Sequence, residues 1–183
     1  MKQTTYEIEI EGITPYLMHR FADEGADVSS QRKVGKKDYK SDVEVALYKS
    51  PEGEIYVPAT QIKSCLMEAG KQMRIPGKGK STYSKLFGAF IMIEPDCLVM
   101  SPQEYEVDAR AVVIQRARII RYRPIFKKWG LRFKVHSLTE EIQKDVIKEG
   151  FEIAGNFTGI GDFRPQKKGM YGRFMVVSFK EVN

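Results

Sequence analysis

Cysteine, histidine and tryptophan are nearly missing from this chain of 183 residues, which has two, two and one of them. Cys65 and Cys97 stand far apart among apolar neighbours. Neither a disulfide framework nor a cysteine zinc site is expected, and both read as small buried hydrophobes. Two histidines give little for an imidazole metal site, so no metal and no cofactor is expected. No apolar run approaches the roughly 18 residues of a membrane span. The opening MKQTTYEIEIEG alternates glutamate with apolar residues, unlike a signal peptide, and the cytoplasm is the expected compartment. Nucleophile-elbow, HExxH and paired-cysteine signatures are absent too, so no catalytic residue is assigned. There is no internal repeat and no low-complexity tract.

What is present suits a folded chain. Hydrophobic residues make up 42% and aromatics 11%, enough for a core. The formal net charge is +6, unevenly spread. Residues 1–60 carry 8 Lys+Arg against 11 Asp+Glu, residues 61–136 carry 15 against 6, and residues 137–183 carry 7 of each. All the excess positive charge lies in the middle. Cations gathered this way favour a polyanion, because binding it releases condensed counterions. A basic surface without a partner is the plainer alternative.

Periodicity gives the order of elements. TTYEIEIEGI alternates Tyr6, Ile8 and Ile10 against Glu7, Glu9 and Glu11, a half-buried strand. Residues 22–43 are polar, charged and glycine-containing, and read as a long mobile insertion. EVALYKSPEGEIYVPA reads as a hairpin around SPEG. PATQIKSCLMEAGKQM predicts a helix capped by Thr60, with Ile62, Cys65, Leu66 and Ala69 inward. LFGAFIMIEPDCLVMSP gives two apolar runs parted by Pro95. EYEVDARAVVIQRARIIRYRP reads as a long strand or strand pair, part of a β extension over about residues 97–124. GLRFKVHS alternates Leu131, Phe133 and Val135 against Arg132, Lys134 and His136. SLTEEIQKDVIKEGFEIAG predicts a second helix starting near Ser137, with Ile142, Val146, Ile153 and Ala154 inward and Gly155 as its stop. RFMVVSFKEV closes the chain as a strand. This is an α+β, ferredoxin-like or RRM-like βαββαβ order: an antiparallel sheet, two helices on one face, and hairpin and loop insertions within a single domain spanning 1–183.

Three stretches carry candidate binding chemistry. The terminal stretch GNFTGIGDFRPQKKGMYGRF holds glycines at 155, 159, 161, 169 and 172. Such glycines let backbone N–H groups approach a phosphate, and Gly159 and Gly161 are the candidates here. Arg164, Lys167, Lys168 and Arg173 add charge, and Phe157, Phe163 and Tyr171 offer rings for base stacking. The alternative is a polar connection with Phe163 and Tyr171 tucked into the core. KQMRIPGKGKSTYSK spreads Lys71, Arg74, Lys78 and Lys80 around Pro76, but lacks the glycine spacing of a nucleotide P-loop. QRARIIRYRPIFKKWG is densest in charge, with Arg116 and Arg118 on one strand face and Arg121 and Arg123 on the other. Arginines on both faces are costly to bury alone, so some must meet solvent, carboxylates or a ligand. Trp129 is expected in the core. Asp23, Glu24 and Asp27, near His19 and Arg20, either hold a divalent metal for phosphodiester cleavage or are solvated loop charges.

Two of these segments resemble a family. VPATQIKS, with GEIY before it and a helix after it, is similar to the strand-to-helix pattern of the RAMP superfamily, and GIGDFRPQKKGMYGRF resembles the glycine-rich loop before its last strand. RAMP proteins are RRM-like subunits of CRISPR effector complexes, and their backbone subunits coat a guide RNA as a filament. Ala59 and Ser64 stand where the family pattern has glycine. With TPYLMHRF and RPIFKKWG, the chain also resembles small phage and prophage proteins. The resemblance implies a non-catalytic protein that grips single-stranded RNA or DNA by its backbone and associates with itself along the strand. Lys63, at the family's lysine, joins the candidate contacts. A metal-dependent nuclease of the same fold, and a phage structural or interaction protein, stay open as alternatives.

Overall fold

The computed structural model describes residues 3–20, 39–114 and 117–182. Among them the chain forms β1 (Thr4–Gly12), β2 (Tyr16–Leu17), α1 (Tyr39–Val45), β3 (Tyr56–Pro58), α2 (Ala59–Gly70) and α3 (Ser84–Phe90). There follow β4 (Ile91–Glu94), β5 (Cys97–Val99), β6 (Glu106–Ile114), β7 (Ala117–Phe126), β8 (Gly130–Ser137), α4 (Lys144–Ile153) and β9 (Phe174–Val182). The proposed insertion at 22–43 lies mostly outside the described residues, and its last residues enter α1.

Strict alternation makes β1 the centre of the main sheet. Tyr6, Ile8 and Ile10 are buried and their glutamate neighbours lie on the other face, since successive strand side chains point oppositely. Both neighbours pair with it antiparallel: β8 sets Ile8 against Phe133 and β9 sets Ile8 against Phe179. The sheet order is β4-β8-β1-β9. With α2 after β1 and α4 after β8, this is the ferredoxin-like, RRM-like α+β fold, as the element order predicted.

The core lies between the sheet and the two helices. From α2 come Ile62, Cys65, Leu66 and Ala69, the predicted stripe. Phe133 of β8 meets Phe151 of α4 with ring centroids 5.7 Å apart. Trp129 is buried and donates its indole N–H to the Thr14 carbonyl at 2.9 Å. A second sheet, β2-β7-β6, carries the predicted strand pair as a hairpin in unbroken register from Glu106↔Ile125 to Ile114↔Ala117.

Several boundaries differ from expectation, each because a tertiary partner replaced a local signal. Helix α2 begins at Ala59 without a side-chain cap. Its first N–H is taken by the Asp96 carbonyl at 2.8 Å, so Thr60 has nothing to do there. Helix α4 begins at Lys144, not near Ser137. Ser137 instead ends β8, buried between Thr4 and Ile91. The inward stripe of α4 is Ile147, Gly150 and Phe151, while Val146 and Ile153 are only half-buried. Gly155 does not stop the chain, which winds on in a π-helical turn, Ala154–Thr158, and breaks at Gly159 with φ +69°. The SPEG hairpin shrinks to one bridge, Lys49↔Ile55, because β3 pairs with β5 instead. LFGAF, read as an apolar run, is helix α3.

Candidate nucleic-acid interface

The terminal loop, residues 159–173, is folded tightly on itself and on its neighbours. Gly159 N–H donates to Ala154 O at 2.8 Å, Ile160 to Gly172 O at 2.9 Å and Asp162 to Leu17 O at 2.8 Å. Lys167 donates to Arg164 O and Lys168 to Pro165 O, both at 2.8 Å, and Tyr171 donates to Phe163 O at 3.1 Å. A donor already engaged by a carbonyl, as at Gly159, cannot cradle a phosphate, and the lack of a side chain at Gly161 serves close packing: a Cβ there would lie 2.5 Å from the Tyr16 ring. The loop therefore presents side chains from a fixed backbone.

Two elements hold it. Along α2, Tyr16 donates its hydroxyl to Gln61 Oε1 at 3.0 Å, and the Cys65 thiol reaches Gly159 O at 3.3 Å. Farther along, the Lys71 ammonium bonds Glu68 and holds its carboxyl below the usual range, with Gln166 of the loop bonded to the same carboxylate. On the other side stands the β6–β7 hairpin. Arg123 is 5% exposed and ion-paired with Asp162 of the loop and, at 3.6 Å, with Asp108 of β6. Arg110 bonds Asp108 at 2.8 Å and the Tyr171 hydroxyl, and its guanidinium lies 4.9 Å from the centre of that ring.

The sequence-predicted cations divide accordingly. Arg123 is a structural tie rather than a ligand contact, because two carboxylates already surround it. Arg164 and Arg173 are half-buried and donate to carbonyls of the loop and its π-helical turn, Gly161 and Asn156. Arg121 donates to Nε2 of His19 at 3.1 Å; burial first, then the charge of Arg121, pushes the pKa of His19 down. Tyr171, offered as a stacking ring, is buried beneath Arg110. Lys167 and Lys168 are exposed, and no ion pair holds either of them among the described residues. Lys71 joins this face through Glu68.

Elsewhere the group disperses. Lys63 is half-buried one turn before Met67, whose side chain touches Gly88 of α3, so it belongs to the other flank of α2. Arg74, Lys78 and Lys80 lie beyond the C-terminal end of α2, where Lys78 pairs with Glu141 at 3.2 Å. Arg118 stands on β7, and Arg116 lies outside the described residues, as do Asp23, Glu24 and Asp27.

The sheet face away from the helices is a poor platform for bases. It carries Glu7, Glu9 and Glu11 on β1 and Arg132, Lys134 and His136 on β8, with Glu9 paired to Arg132 at 3.1 Å. RRM-type recognition needs aromatic rings on such a face, and neither strand offers Phe, Tyr or Trp there. The rings that reach solvent near the terminal loop are Phe157 and Phe163, 62% and 45% exposed.

Sequence reasoning missed Asp108, Arg110 and Asp162. A signal existed for Asp108. Asp108 falls opposite Arg123 in the hairpin register, and opposite charges facing each other favour that pairing, whereas Arg110 faces Arg121 and gains its partners, Asp108 and Tyr171, on its own strand and on the loop.

The cysteines test the packing of this loop on α2. Burial pushes the Cys65 thiol up to about 12, whereas Cys97 is exposed. Because the thiolate is the reactive form, a thiol reagent is expected to modify Cys97 in the folded protein and Cys65 only on unfolding. Mass spectrometry after partial labelling checks this, and equal labelling rates would contradict the packing.

No protein-family model matches the chain, and no curated protein matches it. Among solved structures, the chain is similar to one in the Type III-B Cmr-beta complex bound to cognate target RNA. The TM-score is 0.60 at 17% identity, over 100% of this chain and 61% of that one. At that identity the likeness is one of fold. Among the described residues no helix is long and apolar enough to cross a membrane.

Proposed function

We propose that this chain binds single-stranded RNA by its sugar–phosphate backbone, using the face where the terminal loop meets the β6–β7 hairpin and α2, and that it does so as a RAMP-type subunit laid along the strand with further copies. The observation that carries this reading is the pair Lys167 and Lys168: exposed, without a carboxylate partner among the described residues, and mounted on a backbone that hydrogen bonds fix in place. With the backbone already fixed, binding a phosphate has only the two lysine side chains left to order. Supporting it are the fold likeness to a chain from an RNA-bound complex, the RAMP-like stretches VPATQIKS and GIGDFRPQKKGMYGRF, and the positive excess of residues 61–136. Contacts of this kind position a strand without reading its sequence.

Fluorescence anisotropy with one RNA and its DNA counterpart, at about 50 and about 200 mM salt, tests the proposal. The expected result is RNA binding that weakens steeply with salt. The Lys167→Glu/Lys168→Glu double variant should show a shallower log–log slope, by about 0.7 for each phosphate it no longer neutralises. Absence of binding at low salt, or binding that ignores salt, would sink it. Equal binding of the DNA strand would widen the ligand to any single strand. Sedimentation with and without RNA reads the assembly: growth in size with strand length is expected, and one protein per strand at every length would remove the self-association.

A further inference from the structure

Phe163 combines three features that its neighbours do not share. Its backbone is left-handed, φ +55°, a conformation that bulky residues avoid. Its ring is nevertheless 45% exposed rather than buried in compensation. Both its backbone groups are clamped: the N–H donates to Asp162 Oδ1 at 2.9 Å, and the carbonyl accepts from Tyr171 N–H at 3.1 Å. Asp162 is itself fixed by Arg123. Strain kept in place by surrounding bonds, on an exposed side chain, marks a group positioned for use.

The ring also ends a line of contacts. Arg110 covers the Tyr171 ring, and the Tyr171 ring centre lies 6.4 Å from that of Phe163 at an interplanar angle of 48°. Beyond Phe163 there is solvent. Lys168, the one other non-glycine residue with positive φ among the described residues, at +61°, is exposed on the same loop. Its neighbour Gly169 donates to Arg164 O at 3.0 Å, which closes the turn that carries it. Met170, 63% exposed, adds a soft apolar surface. An exposed aromatic ring and an exposed cation on one fixed loop match a nucleotide, base on the ring and phosphate on the ammonium.

We infer that Phe163 is a base-stacking residue: an unstacked nucleobase of the bound strand lies on its exposed ring and extends the Arg110–Tyr171–Phe163 line, with Lys168 against the adjoining phosphate. This rests on the RNA-binding reading and adds a base contact that tolerates any sequence, since every base has a π-face.

The probe is a uridine RNA of about 12 nucleotides carrying one central 2-aminopurine, whose fluorescence falls when it stacks. Wild type is expected to quench it. Phe163→Asn, which removes the ring but accepts the left-handed backbone, should lose the quenching and about tenfold in affinity, with an unchanged salt slope. Its melting temperature should stay within about 2–4 °C of wild type. Phe163→Trp should quench and bind at least as well as wild type. Equal affinity and quenching in wild type and Phe163→Asn would overturn the stacking role and leave the backbone grip standing. An Asn variant that melts roughly 10 °C lower yet still binds and quenches would mark the ring as structural and overturn it too. A wild type that binds no RNA at low salt overturns both readings.

Discussion

Replacing Arg123 with alanine is expected to cost about 3–5 kcal/mol of stability, among the largest effects of any single side chain that holds the terminal loop. The side chain is 7% exposed, and it is the shared partner of Asp108, 11% exposed, and Asp162. Taking away the cation leaves Asp108 nearly buried, with Arg110 as its one ion-pair partner among the described residues. It also releases Asp162, which orients the N–H of Phe163. A buried pair adds little over an apolar replacement of the whole cluster, but removing one partner strands the other's charge. Urea unfolding should show a lower midpoint with an unchanged slope, and a melting temperature roughly 10 °C lower. RNA affinity should fall as well, because the terminal loop loses its anchor on the hairpin. A change below about 1 kcal/mol would mean that the cluster is solvated and that the loop is held by α2 alone.

Gly172→Ala should disrupt the same loop by a different route, with Gly77→Ala as its internal control. The two glycines have nearly the same φ, +71° and +73°. Around Gly77 a new Cβ meets nothing within 4 Å, so only the left-handed penalty of about 1–2 kcal/mol applies. At Gly172 the Cβ would sit 1.8 Å from the Ile160 carbonyl oxygen, which is backbone and cannot swing aside. Gly172 also donates to Pro15 O at 2.8 Å and accepts from Ile160 N–H at 2.9 Å, so any shift breaks both bonds. The expected loss exceeds that of Gly77→Ala by at least about 2 kcal/mol. Limited proteolysis should show faster cleavage within residues 159–173 in the Gly172 variant only. Equal melting temperatures for the two variants would show that the loop has room to move.

The βαββαβ order was legible because it rests on local periodicity. β1 and β8 alternate without exception, and α2 repeats its apolar positions at helical spacing, so these faces were assigned from neighbours in the chain. The beginnings of helices were less legible. Thr60 and Ser137 offered local caps, yet Asp96 O and the partners of β8 took over those positions from far along the sequence. The charge of the terminal loop was visible too, but the work of its glycines was not. The N–H groups of Gly159, Gly169 and Gly172 are consumed internally, and the missing Cβ atoms allow close packing.

The sequence by itself determined that this chain folds as an α+β sheet with the two long helices α2 and α4, carries its positive excess in the middle, and places glycines, cations and rings together before the last strand. Each of those follows from residue type and short-range spacing. Only the tertiary structure decided which cations are spoken for. Arg123 meets Asp162 across 39 positions and Arg110 meets Tyr171 across 61. Such charges find each other through strand pairing and loop docking, which no local pattern encodes, and the same docking is what turns Phe163 and Lys168 outward.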